Sequence, residues 1–482
     1  MLNLFSKFVN RYEKMPLGVK AALWFTICSF LQQGVSFLVT PIFTRLMSTE
    51  EYGIYSVFNS WKSILSVFIT LQLAGGGFAK GLLKFPNRDR YQSSLMFLTT
   101  ISIVVWGSAF ILAGDVFAEV LELPTKYLFA MIITLLFHQS FSLWAGRQRF
   151  EYKYKSLVAL TLTTTICAPC LSVAAIKIGI YSVDARIFSL AVVSAAAYGP
   201  IMVMMFVKGK CVFDKRIWGY ALPFGLAMIP HALANTVLAS SDRIMISRMI
   251  GDSEAALYNV GYTIAHVIII FIQSIMGAFT PWMMIRIDKN NFENVAKITN
   301  ALGMLFCLIS LIPILAGPEV VAIMGGDKYA KSIWTIPPVA ASIYFVFLHC
   351  LFSVVQFYYE KKIFILSASC SAAILNVILN YFFIGKFGYL AAAYTTLVCY
   401  AGFSLVDYVF LCKLRRENGV NDKIYDYTFL ALMSAGVTLI AILGNLLYLN
   451  SVVRYILFAL TTTLLLIKRK FFMNLYLNLK QR

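Results

Sequence analysis

Fourteen apolar runs divide this 482-residue chain, and they constrain its fold more than any other feature. A transmembrane helix needs about 20 mostly apolar residues, and each run is close to that length. The composition agrees, because 60% of the residues are hydrophobic, 13% are charged and the mean hydropathy is +0.77. A soluble domain could not cover so much apolar surface, whereas a multi-pass membrane protein leaves it in lipid. The sequence therefore predicts an all-α polytopic membrane protein.

The runs are predicted at 17–41, 53–79, 93–114, 125–145, 156–176, 186–207, 217–241, 256–282, 297–316, 332–357, 363–384, 389–412, 427–448 and 453–470. Residues 1–16 are predicted to form a cytoplasmic amphipathic tail that lies on the membrane surface. Residues 471–482 are predicted to be a basic cytoplasmic tail. No cleavable signal peptide is expected, because the first run is too long for one and follows a basic segment.

The net charge of +19 invites a nucleic-acid function, but its distribution indicates membrane topology instead. With a cytoplasmic amino terminus, 30 of the 41 Lys and Arg residues fall in cytoplasmic segments and 10 in outside hairpins. Lys62 lies within a run. Acidic residues divide almost evenly, so the bias is that of the positive-inside rule. We therefore expect both termini in the cytoplasm and no nucleic-acid partner.

One hairpin segment occurs twice in the chain. Residues 41–61 align without a gap on residues 244–264, so that Arg45 matches Arg248 and Tyr55 matches Tyr258. The likeness continues weakly, since 137–142 matches 348–353 and Lys177-x-Gly179 matches Lys386-x-Gly388. A period of about 200 residues indicates two copies of one helical unit.

The repeat predicts the domain organisation. Runs 1–6 would form a first six-helix lobe (17–207) and runs 7–12 a second (217–412), with runs 13 and 14 (427–470) outside the symmetry. Because six is even, both copies enter the membrane from the same side, as in parallel-repeat transporters. Pro223, Gly225 and Pro230 should bend run 7, either for packing or for a change of shape.

Three segments together resemble the polysaccharide-transport family of bacterial flippases, within the multidrug/oligosaccharidyl-lipid/polysaccharide (MOP) exporter superfamily. They are PIFTRLMSTEEYGIYSVFNSW after run 1, DRIMISRMIGDSEAALYNVGYTIA after run 7 and KFGYLAAAYTTL at run 12. The best-known members of that family are Wzx-type flippases of O-antigen and capsule repeat units. The resemblance covers nearly the whole chain, and it identifies the family but not the sugar.

The resemblance implies a flippase of the bacterial inner membrane. Its substrate would be an undecaprenyl-diphosphate-linked oligosaccharide, moved from the inner to the outer leaflet through a cationic cavity between two lobes. Membrane lipids, a polysaccharide polymerase and chain-length machinery are the other expected partners, and no cofactor is implied. Lipid II flippases are similar but usually show arginines in spans 1 and 2. Here span 1 has Lys20 and span 2 has Lys62, which argues against a peptidoglycan-precursor role.

Lys62 is the first candidate for the substrate site. A charged group inside a membrane span is costly and normally faces an aqueous cavity or a partner. The alternative is that Lys62 snorkels to the interface. The repeat places Lys62 next to the position of His266, so we predict that the two form one anion-binding centre for the diphosphate.

Other polar groups in the spans are further candidates for the cavity. His231 follows the Pro230 kink, and Asn59, Gln33 and Asn235 could bind sugar hydroxyls, although helix–helix hydrogen bonding explains each amide equally well. His138 and His349, which are repeat partners, are expected to pack or to form hydrogen bonds.

Three charged groups have other expected roles. Arg45 and Arg248 are predicted to flank an outer gate, where hairpin glutamates such as Glu51 would pair with them. Asp407, near the end of run 12, is expected to be an interfacial carboxylate or, alternatively, a protonatable coupling group. Asp242 and Arg243 should neutralise each other at the membrane face. No two histidines have the spacing of metal ligands, so no metal site is predicted. Eight of the nine cysteines lie in apolar runs and Cys211 lies beside a basic loop, which suits small buried hydrophobic residues.

Two other classes of function remain as alternatives. A membrane-embedded envelope enzyme, such as a polymerase or an acyltransferase, would need a set of acid, base or nucleophile groups that the sequence does not supply. A drug exporter of the same superfamily would usually lack runs 13 and 14. We therefore expect transport rather than catalysis.

Overall fold

A computed structural model describes residues 15–75, 77–419, 424–469 and 471, and within these ranges the chain is helical without a strand. The predicted amino-terminal helix and carboxy-terminal tail lie almost entirely outside the described residues. The first eight helices are α1 (Leu17–Leu46), α2 (Thr49–Ile69), α3 (Gly77–Lys84), α4 (Arg88–Leu112), α5 (Gly114–Leu121), α6 (Thr125–Phe150), α7 (Tyr154–Lys177) and α8 (Ser182–Gly209).

The second half begins with the long helix α9 (Lys215–Met249). It continues with α10 (Asp252–His266), α11 (Ile269–Asp288), α12 (Val295–Leu315), α13 (Gly317–Gly325), α14 (Ile336–Tyr358), α15 (Lys362–Phe387), α16 (Tyr389–Glu417), α17 (Tyr427–Leu443) and α18 (Ser451–Ile467). Short 3₁₀ helices, Gly326–Thr335 and Gly444–Tyr448, precede α14 and follow α17.

Twelve helical stretches of the described chain are long and apolar enough to cross a membrane. The prediction of an all-α multi-pass protein is confirmed, whereas the count of fourteen spans is not. The two predicted spans outside the twelve are α2 and α18. Helix α18 has 17 residues, and α2 carries Glu50, Glu51, Lys62 and several serines along its 21 residues. A helix with so polar a face needs a polar neighbour or a water-filled space.

Contacts divide the chain into two compact units. Unit 1 consists of Met1–Val39 and Trp61–Ala232, and unit 2 of Thr40–Ser60 and Leu233–Arg482. Three helices, α1, α2 and α9, therefore pass from one unit into the other. The division lies beside Pro41 in α1 and beside Pro230 in α9. The predicted lobes 17–207 and 217–412, with their symmetry, remain a prediction.

In unit 1 the second predicted span ends ten residues early, since α2 stops at Ile69 and not near 79. Leu71 and Gln72 adopt positive φ angles of 52° and 51°, which turns the chain before α3 begins. The Leu71 carbonyl approaches α9 so closely that a Cβ at Gly225 would lie 2.4 Å from its oxygen. Gly225 therefore permits close packing of this turn on the proline-containing helix.

An ion-pair network holds the carboxyl end of α6. Arg147 bonds to Asp89 (2.6 Å) and to Glu151 (2.8 Å), and Arg88 bonds to Glu151 (3.2 Å). Burial opposes ionisation of Glu151, but hydrogen bonds from Lys153, Arg147 and Arg88 outweigh it and lower its pKa to about 2. Since Glu151 directly follows α6, this network fixes the helix that carries much of the site described below.

In unit 2 the two repeated hairpins contact each other. Ser48 and Glu51 form a capping box at the start of α2: the Ser48 amide donates to the Glu51 carboxylate (2.7 Å) and the Glu51 amide to the Ser48 hydroxyl (3.1 Å). The hydroxyls of Thr49 and Ser253 are 3.0 Å apart. A Cβ at Gly53 would lie 1.9 Å from the Asp252 carbonyl oxygen, so only glycine allows this approach.

Candidate functional site

A cavity of ≈ 490 Å³ lies in unit 1 between α2, the turn that follows it, and α6. Lys62, Ser63 and Ser66 lie on one face of α2, and Thr70 directly follows that helix. Thr134, His138, Ser142 and Arg149 lie on one face of α6. The remaining lining residues are Gln72, Ala74, Gly75, Leu135, Gln139, Phe141, Ala145 and Gly146. The polar face of α2 thus borders an open space.

The charge of this cavity has one sign. Lys62 and Arg149 are cationic, and no Asp or Glu is among its lining residues. Lys62 lies thirteen residues after Thr49, or roughly 20 Å along α2. The Nε2 atom of Gln139 is buried and lacks a hydrogen-bond partner. Cationic and amide donors of this kind suit an anion with only acceptor oxygens, such as a phosphate group.

The hydroxyl groups of the cavity offer the complementary chemistry. Ser66, Thr70, Thr134 and Ser142 each donate to a backbone carbonyl three or four residues earlier, at distances of 2.7–2.9 Å. Their donors are therefore engaged, while their oxygen lone pairs remain able to accept. Sugar hydroxyls are donors, so the same cavity can hold a phosphate at its cations and a sugar at its hydroxyls.

The structure distributes the predicted substrate residues over both units. Lys62, His231 and the exposed Gln33 belong to unit 1, and His266, Asn59 and Asn235 to unit 2. His266 stacks on Tyr262, with ring centroids 4.8 Å apart, and the Asn59 amide donates to the Tyr55 carbonyl. The centre formed by Lys62 and His266 stays a prediction.

Sequence reasoning missed two basic groups of this cavity. His138 was expected to pack or to form a hydrogen bond. Its ring does pack against Tyr198, at a centroid distance of 5.5 Å, but it also lines the cavity beside Lys62. Arg149 follows the predicted run 125–145 and was therefore one of the 30 basic residues counted in cytoplasmic segments. The signal that could have found both is the helical spacing of four, four and seven residues that places Thr134, His138, Ser142 and Arg149 on one face of α6.

Unit 2 contains a buried polar cluster around Asp242, whose side chain is fully buried. Tyr258 donates to this carboxylate at 2.5 Å, Asn380 at 2.6 Å and Thr396 at 2.9 Å. The neighbouring Arg243 donates instead to Asn259 (2.7 Å) and to the Ala239 carbonyl (2.7 Å). Both side chains are buried and each has its own hydrogen-bond partners, and the expectation that Asp242 and Arg243 neutralise each other at the membrane face stays a prediction.

Asp407 is also buried, with 1% of its side chain exposed, so the expectation of an interfacial carboxylate was wrong. Its Oδ2 atom lies 2.5 Å from Nδ1 of His349, and Gln356 donates to its Oδ1 at 2.9 Å. The His349 ring stacks on Phe403 at a centroid distance of 4.0 Å. Helices α14 and α16 are joined by this pair.

The predicted gate arginines are both exposed residues of unit 2. Arg45 donates to the Ile323 carbonyl at 3.1 Å, and Thr44 donates to the Met324 carbonyl. These carbonyls belong to the last turn of α13, where a cation is favoured by the helix dipole. Glu51 is engaged in the capping box, so Arg45 and Glu51 bind different partners and the expected pair between these two was wrong. The ion pair expected at Arg248 stays a prediction. Among the described residues no group of three or more His, Cys, Asp or Glu could hold a metal ion.

Comparison with solved structures shows the fold. The chain is similar to the lipid II flippase MurJ in an inward closed conformation, with 12% identity and a TM-score of 0.67 over 93% of this chain and 100% of that one. It is similar to a multidrug resistance MATE family transporter of the MOP superfamily in an inward-facing conformation, with 12% identity and a TM-score of 0.64 over 81% and 96% of the two chains. A MOP superfamily transporter from Pyrococcus furiosus shows 14% identity and a TM-score of 0.55 over 84% and 97%.

The family follows from the sequence itself. A profile described as polysaccharide biosynthesis protein matches residues 19–285, which is more than half of the chain. No curated protein matches this chain. The match includes the first repeated hairpin, the unit 1 cavity and the second hairpin. The resemblance drawn from those segments is confirmed: the chain belongs to the polysaccharide biosynthesis protein family and has the fold of MOP superfamily transporters.

Proposed function

We propose that this protein is a flippase that moves an undecaprenyl-diphosphate-linked oligosaccharide repeat unit from the inner to the outer leaflet of the bacterial inner membrane. The product would feed the synthesis of a surface polysaccharide such as O-antigen or capsule. A polymerase and chain-length machinery would act after it. The observation that carries the proposal is the unit 1 cavity, where cations and hydroxyl acceptors line one space between two apolar-run helices.

The cavity supports a lipid-linked sugar better than the alternative substrates. A diphosphate needs donors and a sugar needs acceptors, and both line the same space. A cationic drug would meet Lys62 and Arg149 without any acidic lining residue, so charge argues against it. An envelope enzyme would need a catalytic set, whereas the solved relatives by fold are transporters or flippases.

Release of the head group requires that its binding be moderate. Lys62 is a flexible point charge and holds an anion less rigidly than an arginine fork would. An inside-negative membrane potential favours outward movement of anions. For two negative charges across 100 mV it contributes roughly 4–5 kcal/mol. The membrane potential alone is therefore a sufficient driving force in order of magnitude.

The proposed transport requires alternating access to the two sides of the membrane, and we assign the opening and closing movement to the two hairpins. Thr49 and Ser253 touch, and Gly53 packs on Asp252, so the hairpins are closed on each other. Outward release would separate them, with bending at Pro41 and Pro230, where helices pass between the units. A Thr49→Cys/Ser253→Cys disulfide should stop export without changing protein abundance, and reduction should restore it.

The proposed function is tested by deletion. Cells without this protein should accumulate one undecaprenyl-diphosphate-linked oligosaccharide on the inner leaflet, and the full chain should clear it. Mass spectrometry of the lipid extract identifies the sugar, and an enzyme added to right-side-out or inverted vesicles assigns the leaflet. Accumulation of unextended lipid precursors, or of polymerised product inside the cell, would contradict the flippase and favour an enzyme.

A further inference from the structure

The two cations of the unit 1 cavity lie at different levels. Lys62 on α2 is close enough to His138 on α6 to act on it electrostatically, which places these two side chains near one level. Arg149 lies eleven residues after His138, or roughly 16 Å along the axis of α6. Because Arg149 follows the predicted run 125–145, the predicted topology places it at the cytoplasmic end. One cation therefore lies within a predicted span and the other at the cytoplasmic end of the cavity.

A diphosphate cannot bind both cations at once. Its two phosphates share one bridging oxygen, so its charge occupies a length far shorter than the separation of Lys62 and Arg149. The predicted topology makes α2 and α6 run in the same direction, and side chains of both helices lean towards their amino-terminal ends. The separation is therefore not closed by the reach of the two side chains. If Lys62 binds the diphosphate, Arg149 is left for a second anionic group of the same substrate.

Arg149 differs in its pairing from Arg147, two positions earlier on α6. Arg147 is paired with both Asp89 and Glu151. Within the described ranges no carboxylate pairs with Arg149, and none lines the cavity that this side chain borders. The end of α6 thus neutralises one arginine with the protein's own acids and leaves the other to the cavity. A guanidinium group binds a carboxylate through two parallel hydrogen bonds, so a carboxylate is the anion that suits this position best.

The lining between the two cations suits neutral sugar rings. Ser66 lies about one turn beyond Lys62 on α2, and Ser142 lies at a similar level on α6. The hydroxyls of both serines donate to backbone carbonyls and can still accept hydrogen bonds from sugar hydroxyls. Ala145 and Gly146 follow on α6 and add no charged group. This order of cation, hydroxyls, small residues and cation matches a diphosphate, neutral sugar and a carboxylate in one molecule.

We propose that the repeat unit carried by this protein contains an acidic sugar, whose carboxylate binds Arg149 while the diphosphate binds Lys62. Arg149 is then the residue that selects acidic over neutral repeat units. A further negative charge on the substrate also increases the drive that an inside-negative membrane potential supplies. The inference rests on the proposed function and names the class of sugar for it.

The first test is the composition of the lipid that accumulates in the deletion strain. Mass spectrometry before and after methyl esterification counts its carboxylates, and at least one sugar of the repeat unit should carry one. A repeat unit without a carboxylate would overturn the inference and leave the flippase function standing. Absence of any accumulated lipid-linked oligosaccharide would contradict the proposed function itself, and the inference with it.

The second test measures selectivity with the purified full chain in vesicles. The vesicles contain either the accumulated lipid or undecaprenyl diphosphate that carries one neutral sugar, and the ratio of the two flipping rates is compared among variants. Arg149→Gln should lower this ratio by about tenfold, as expected for the loss of one charge-assisted pair. Arg149→Lys should recover part of it. Lys62→Arg should leave the ratio unchanged, because both lipids carry the diphosphate.

The matched control is Lys155→Gln. It removes an exposed positive charge at the start of α7 that does not line the cavity, and both rates should stay at the parental value. A parental ratio in folded Arg149→Gln would overturn the inference, because Arg149 would then serve the diphosphate or the fold alone. An equal fall of the ratio in Lys155→Gln would also overturn it, since the selectivity would then follow the overall charge of the cytoplasmic surface.

Discussion

The two units contain corresponding histidines in different chemical settings, and the difference separates their roles. In unit 1, His138 packs on a tyrosine and faces a basic cavity. In unit 2, His349 is bound to the buried carboxylate of Asp407. One histidine lines an open space, whereas the other joins two helices through a buried carboxylate. The two positions that the repeat relates therefore serve a cavity in unit 1 and internal packing in unit 2.

The largest effect is expected when the Lys62 cation is removed from the unit 1 cavity. Lys62→Ala should reduce export per molecule by at least about 100-fold, because a charge-assisted phosphate contact in a desolvated site is worth several kcal/mol. Lys62→Arg should retain part of the activity. The matched control is Lys84→Ala, at the exposed end of α3. Surface polysaccharide normalised to membrane abundance is the measurement.

The same assay separates the two histidines of the sequence-based hypothesis. His138→Gln should weaken export more than His266→Gln, because His138 lines the cavity with Lys62. A stronger effect of His266→Gln would favour the predicted centre of Lys62 and His266 over the unit 1 cavity.

In unit 2, removal of the buried Asp242 carboxylate should mainly lower the free energy of unfolding. Asp242→Ala leaves the donors of Tyr258, Asn380 and Thr396 without their acceptor and Arg243 without its neighbouring charge. Breaking such a buried network should cost about 3–5 kcal/mol. Asp115→Ala, at an exposed position of α5, should cost almost nothing. Thermal unfolding of the detergent-purified chain distinguishes the two, and equal melting temperatures would contradict the role of the cluster.

A smaller effect is expected at the turn that ends α2. Gly225→Ala should destabilise unit 1 by about 1–3 kcal/mol, because the new methyl group meets the Leu71 carbonyl oxygen at 2.4 Å. Gly219 lies on the same helix with no atom within 4 Å of an added Cβ. Gly219→Ala should therefore be neutral or slightly stabilising. If both variants unfold alike, the close approach of the turn to α9 is not what places glycine there.

The smallest effect concerns the ion pairs at the end of α6. Glu151→Gln should destabilise the protein by roughly 1–2 kcal/mol at pH 7. The pKa of Glu151 is about 2 in the folded protein and lies below its ordinary value of 4.5. The stabilisation is therefore complete above about pH 4.5 and is lost as the pH falls toward 2. The difference in melting temperature between parent and variant should shrink over that window, and a constant difference would contradict the linkage.

The sequence predicted those features that depend on hydropathy and local pattern. The helical class, the family and most spans could be predicted, and Lys62 could be identified as a candidate because charge is rare in an apolar run. The end of α2 was not readable, because a turn at Leu71 and Gln72 depends on a contact with Gly225 more than 150 positions away. The partners of Asp242 and Asp407 were missed for the same reason. Their hydrogen bonds join distant helices, and neighbouring residues in the sequence suggested other pairings.

The central claim is that the unit 1 cavity carries the head group of a lipid-linked oligosaccharide across the membrane. The most direct measurement uses purified full-length protein in vesicles that contain the lipid accumulated by the deletion strain. A membrane-impermeant glycosidase then reports the fraction of sugar that has reached the outside. The parent should expose the inner-leaflet fraction within minutes, and Lys62→Gln should leave it protected as in protein-free vesicles. Exposure at the parental rate by Lys62→Gln would contradict the claim.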